Sequence, residues 1–169
     1  MSLTHLEFAD WLPFPLARVF AFFCDPRNLP RLMPAALRTR IESVNLVAPP
    51  SPYSIEFPKA AGVGTVITTS FRLFPFLPLR LPWVARITEF DWNHYFADVQ
   101  EKGPFRRWHH RHEFLVDTRQ GVSGTLVRDT IEYEFGLGPL EALANSFFIE
   151  PKMRDTFAQR QKALPKLLL

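Results

Sequence analysis

A chain of 169 residues is the length of one domain, residues 1–169, and a hydrophobic content of 47% excludes a disordered polymer. The net charge of +3 comes from 20 basic and 17 acidic residues scattered along the chain, which gives no reason to expect nucleic acid as a partner. The only cysteine, Cys24, excludes an intrachain disulfide and points to a reducing, cytoplasmic setting, in keeping with an N-terminus that lacks a basic-then-apolar leader.

Residues 3–12 alternate loosely, with Leu6 and Phe8 on one face, and read as an outer strand. Pro13 and Pro15 open a helix whose apolar stripe is Leu16, Val19, Phe20 and Phe23. Asp25 and Pro26 stop it, and Asn28 is placed to cap a second, short helix over 29–33 that Pro34 ends. Cys24 has no basic neighbour in sequence and is read as packing. Strands are expected over 38–47, 65–73 and 83–90. Between the first two lies a proline-rich connection. Gly62 and Gly64 do not make a phosphate loop, since no helix follows them. Between the last two lies an unusually apolar loop, Leu73–Pro82, which suits a lid, a homodimer contact or a transient membrane contact, since loops normally face water.

The segment from Tyr95 to Phe135 is the most informative. It reads as three antiparallel strands, the last two joined by a turn at 121–124. Alternation places Phe96, Asp98 and Gln100 on one face of the first strand, and Trp108, His110, His112 and Phe114 on one face of the second. Thr125, Val127, Asp129, Ile131, Tyr133 and Phe135 share a face of the third, opposite a solvated face of Arg128, Thr130, Glu132 and Glu134. Aromatic rings mixed with a few titratable groups suit the wall of a pocket better than a dry core. After a break at 136–139, Leu140, Leu143, Ala144, Phe147 and Phe148 follow helical spacing. Pro151 interrupts the pattern, and the helix resumes with Met153, Phe157 and Leu164 inward and Lys152, Arg154, Arg160 and Lys162 outward.

The element order is therefore a strand, two helices, about six more strands and a long C-terminal helix. A sheet that cannot bury one face alone curls around the only long amphipathic partner and leaves a space between them. The motifs D-x-Q-x-x-G-P-F-x-x-W-x-H-x-H-x-F at 98–114, G-T-x-x-x-D-x-x-x-Y at 124–133 and P-x-x-x-V-F-x-F-F-x-D-P-x-N-L at 15–29 resemble those of the START-like helix-grip superfamily, notably its polyketide cyclase/dehydrase and coenzyme-Q-binding branches. The resemblance implies an α+β helix-grip fold: a curved antiparallel sheet of six to seven strands around a long C-terminal helix, with two short helices after the first strand. It also implies a hydrophobic ligand cavity between sheet and helix.

The expected ligand is a small hydrophobic or aromatic molecule such as a lipid, quinone or polyketide. The expected contacts are Phe71, Phe96, Asp98, Gln100, Trp108, His110, His112, Phe114, Asp129, Tyr133, Phe147 and Phe157. Binding without catalysis is the first reading. A cyclase-type enzyme using His110, His112 or Asp129 as acid or base is the alternative. A third use of the Asp–His groups is simply to tie strands together, because a buried carboxylate needs a partner. No cofactor or metal is expected, since histidines at i, i+2 are what any alternating strand provides. No serine stands in a nucleophile elbow.

Overall fold

A computed structural model describes residues 3–50, 59–72, 78–136, 138 and 141–169. Its element order follows the expected one, with seven strands in a single antiparallel sheet arranged β1-β7-β6-β5-β4-β3-β2. Strand β1, Thr4–Leu12, lies along the edge of β7, Val122–Glu134. Then come β6, Arg107–Arg119, β5, Tyr95–Lys102, β4, Leu81–Asp91, β3, Val66–Phe71, and β2, Arg40–Asn45, which forms the other edge. The chain has the helix-grip architecture: a curved open sheet, short helices after the first strand and a long helix at the C-terminus.

Helix α1, Leu16–Cys24, buries Val19, Phe20 and Phe23, three members of the expected stripe, together with Cys24. Phe20 packs edge-on against Phe90, Phe96 and Phe114 and closes that end of the sheet. Asp25 accepts from the backbone N–H of Arg27 to start a short 3-10 turn, Pro26–Asn28, and α2, Leu29–Leu32, follows. Asn28 does not cap α2. Its amide instead donates to the Phe22 carbonyl, because the 3-10 turn already supplies the first turn of backbone geometry.

The β6–β7 turn is tighter than expected. Arg119 pairs with Val122, leaving only Gln120 and Gly121, both at positive φ, as a two-residue hairpin. Gly124 belongs to β7, where β1 comes so close that a Cβ would stand 2.4 Å from the Leu12 carbonyl oxygen. Glu134, expected in solvent, is buried where the β5–β6 connection crosses the end of β7. Arg106 donates both its backbone N–H and a guanidinium hydrogen to it. The rest of the outer face is as polar as expected, with Arg111 bridging Glu89 and Glu113, and Arg128 bridging Glu7 and Glu113.

The apolar loop is shorter than expected, since Leu81 and Pro82 belong to β4. The lid, dimer and membrane expectations concern Leu73–Pro82, of which residues 73–77 lie outside the described residues, as do Pro139 and Leu140.

The C-terminal helix departs most from the pattern. Helix α3, Glu141–Ala144, runs into a π-turn, Asn145–Ile149, and then into α4, Glu150–Leu167. Pro151 would drive its ring into the carbonyl four residues back, at Phe147. The wider π-turn, in which the Glu150 N–H reaches the Asn145 carbonyl, relieves that clash. The turn also rotates the preceding residues. Leu143 and Phe147 therefore face outward, Phe147 with 78% exposure, while Phe148 reaches the edge of the space between sheet and helix and Ile149 takes the buried position.

Candidate functional site

The sheet and α4 do not close on each other. Between them lies an open hollow of about 380 Å³. Period-two alternation builds its wall: Ile67, Thr69 and Phe71 from β3; Leu81, Trp83, Ala85 and Ile87 from β4; Phe96 and Asp98 from β5; Trp108, His110 and His112 from β6. Helix α4 contributes Lys152, Met153, Thr156, Phe157 and Arg160. Phe23, Cys24, Leu29, Leu32 and Leu37 from the first helical segment close one end.

Strand register explains why the polar groups converge. Asp98 stands opposite His110, and His112 stands opposite Asp129, so four groups from three neighbouring strands share one face. His110 Nε2 lies 3.0 Å from Asp129 Oδ1, and its Nδ1 lies 3.8 Å from Asp98 Oδ2. His112 Nδ1 is 2.5 Å from the same Asp129 oxygen, at an angle too bent for an aligned hydrogen bond. The other oxygen of Asp129 accepts from Arg160 of α4. Arg160 also lies over the faces of Phe157 and Phe23, with its guanidinium carbon 4.3 and 5.5 Å from the two ring centres.

Burial alone would raise the Asp129 carboxyl. Arg160, His112 and His110 outweigh it and hold the group well below the usual carboxylate range. Burial pushes the Asp98 carboxyl up despite the neighbouring His110. Burial, reinforced by the neighbouring His112, pushes His110 down, against the pull of both aspartates. The result is one fixed carboxylate, Asp129, behind a neutral imidazole and a carboxyl that ionises reluctantly. Cys24 is pushed well up by burial, which makes its thiol inert.

Of the residues expected to touch a ligand, Phe71, Phe96, Asp98, Trp108, His110, His112 and Phe157 line the hollow. Five do not. Gln100 turns its amide into the β5–β6 connection, donating to the Phe105 carbonyl at 2.6 Å. Phe114 packs in the core against Phe20 and Phe23. Asp129 is fully buried behind the histidines. Tyr133 is buried and donates to Asn145 Oδ1 at 2.5 Å, tying β7 to the π-turn. Phe147 points outward.

Arg160 is the main residue the sequence reading misplaced. Expected in solvent, it is 6% exposed. Its position, three after Phe157 and four before Leu164, lies on the inward stripe, so spacing alone could have found it. Trp83, the other strong omission, meets Trp108 edge-on at 4.9 Å.

This fold and this hollow define a helix-grip protein of the hydrophobic-ligand-binding class. The family model for polyketide cyclase / dehydrase and lipid transport proteins matches residues 12–160, and the chain belongs to that family. No curated protein matches. Among solved structures, TTHA0849 from Thermus thermophilus is similar with a TM-score of 0.60 at 17% identity, over 98% of this chain and 97% of that one. The structure of Ara h 8.0201 is similar with a TM-score of 0.61 at 16% identity, over 99% of this chain and 98% of that one. At these identities the likeness is one of fold. Among the described residues, no helix is long and apolar enough to cross a membrane.

Proposed function

We propose that the protein binds a small hydrophobic or aromatic molecule, such as a quinone, a polyketide-like ring system or a lipid, between the sheet and α4, and does not transform it. The observation that carries this reading is the hollow itself. Its volume of about 380 Å³ falls in the range of small-molecule sites, and its largely apolar wall converges on one polar cluster. Four buried polar atoms of its lining residues, Thr39 Oγ1, Trp108 Nε1, His112 Nδ1 and Arg160 Nε, have no aligned hydrogen-bond partner among the described residues. They favour a ligand that carries an acceptor oxygen, since a buried donor left unmade is costly.

The experiment is a fluorescence titration with anilinonaphthalene sulfonate, followed by competition with quinones and fatty acids. Binding is expected to quench the tryptophans of the wall, Trp83 and Trp108. Ala85→Phe, which fills the hollow from β4, is expected to weaken binding at least tenfold. Unchanged probe affinity in Ala85→Phe overturns the reading.

A second reading, a cyclase or dehydrase acting through His110, is favoured by one observation: a neutral imidazole held between two carboxylates suits a general base, with Asp129 orienting it. It requires turnover of an enone or polyketide substrate that His110→Gln abolishes while the melting temperature holds.

A further inference from the structure

The polar cluster has a second property that hydrophobic-ligand binding does not use. Asp98, His110 and His112 each offer one donor atom, and these atoms lie within 4.8 Å of one another on the wall of the hollow. Behind them, Asp129 Oδ1 meets both imidazoles, at His110 Nε2 and at His112 Nδ1. The hydrogen bond to Asp129 places a proton on His110 Nε2, and the close carboxylate oxygen favours one on His112 Nδ1. The lone pairs are then left on His110 Nδ1 and His112 Nε2. His110 Nδ1 is the nitrogen that lies towards Asp98. Asp129 itself is fully occupied, because its second oxygen is taken by Arg160. Asp98 is held less tightly: among the described residues its ion-pair neighbour is His110, at 3.8 Å, and the Trp108 indole N–H also acts on its carboxyl.

We propose that Asp98, His110 and His112 form a binding site for a zinc-class divalent metal ion, opening onto the hollow. Two imidazoles and one carboxylate are the donor set that leaves positions free for an exogenous ligand. Asp129 is the carboxylate behind the rings, hydrogen-bonded to His110 and in close contact with His112, the arrangement that orients metal-bound histidines. Donors around a tetrahedral ion of zinc size stand about 3.4 Å apart, so the three side chains draw together from separations of up to 4.8 Å. Because all three residues line the hollow, a molecule bound there could supply an oxygen to complete the coordination. The expectation of no metal site rested on i, i+2 spacing, and the proposal departs from it. What spacing could not supply is the second strand, which sets Asp98 beside His110, and the third, which sets Asp129 behind both rings.

The site does not depend on the hydrophobic-ligand reading. The test uses metal alone, so either can fail without the other. Purified protein is stripped with chelator and titrated with Co²⁺ and Zn²⁺. One equivalent of Co²⁺ is expected to give visible d–d bands that Zn²⁺ displaces, and Asp98→Asn is expected to lower affinity at least tenfold. Asp129→Asn is expected to keep the stoichiometry and weaken affinity about ten- to a hundredfold. His94→Gln, altering an exposed histidine, is the control and is expected to change nothing. Zinc X-ray absorption on the unmutated protein is expected to show two imidazole nitrogens at about 2.0–2.1 Å, a readout that needs no variant to fold. Absence of the bands, bands indifferent to Asp98→Asn, or loss of binding in His94→Gln each overturns the proposal.

Discussion

Arg160 of α4 donates to Asp129 of β7, and both groups are buried. The pair joins the C-terminal helix to the centre of the sheet directly behind the two histidines. A buried pair of this kind contributes little net stability when intact. Removing one partner leaves an uncompensated charge, at a cost of about 3–5 kcal/mol. Arg160→Met is therefore expected to lower stability by that amount in urea melts. A loss below about 1 kcal/mol would show that the pair is not desolvated.

The π-turn makes a prediction opposite to the one helical spacing makes. Phe147 is exposed, whereas Phe157 is buried and stacked on Phe8 at 4.1 Å. Phe147→Ser is expected to change stability by less than about 0.5 kcal/mol. Phe157→Ala is expected to cost about 3–5 kcal/mol. Equal effects in thermal melts would return Phe147 to the core.

Tyr133 supplies a pH test. Burial, and then the Glu150 carboxylate, raise its phenol from 10.0 to about 12. A raised phenol favours the protonated form in the folded state. Its contribution is thus intact below pH 10 and declines as pH rises from there towards 12. Spectrophotometric titration is expected to show a tyrosine step near 12 that Tyr133→Phe removes. A single step near the ordinary value would contradict the burial described.

Gln100 was expected to meet a ligand, and it holds the β5–β6 connection instead. Gln100→Ala is expected to cost about 1–2 kcal/mol for two lost hydrogen bonds. It is also expected to loosen Phe105, which lines the hollow, and so to alter probe affinity without touching the probe. Unchanged stability and unchanged affinity together would place the amide elsewhere.

How far the chain was legible depends on the range of each interaction. Residue order by itself determined the seven-strand plan, the alternation that turns Asp98, His110 and His112 to one face, and the apolar stripe of α1, because period two and period 3.6 are local properties of the backbone. It could not determine that β5–β7 register would stack Asp98, His110, His112 and Asp129 into one cluster, since register depends on pairing across dozens of residues. Spacing puts Arg160 on the inward stripe of the last helix but does not name the partner that lets a charge be buried there. Arg160 reads as a solvated cation until the sheet presents Asp129 to it, and Phe147 reads as core until Pro151 forces the turn that rotates it away. The pattern states what each residue prefers. Tertiary contact decides which preferences are met, because a buried charge or an exposed ring is settled only by what stands opposite it.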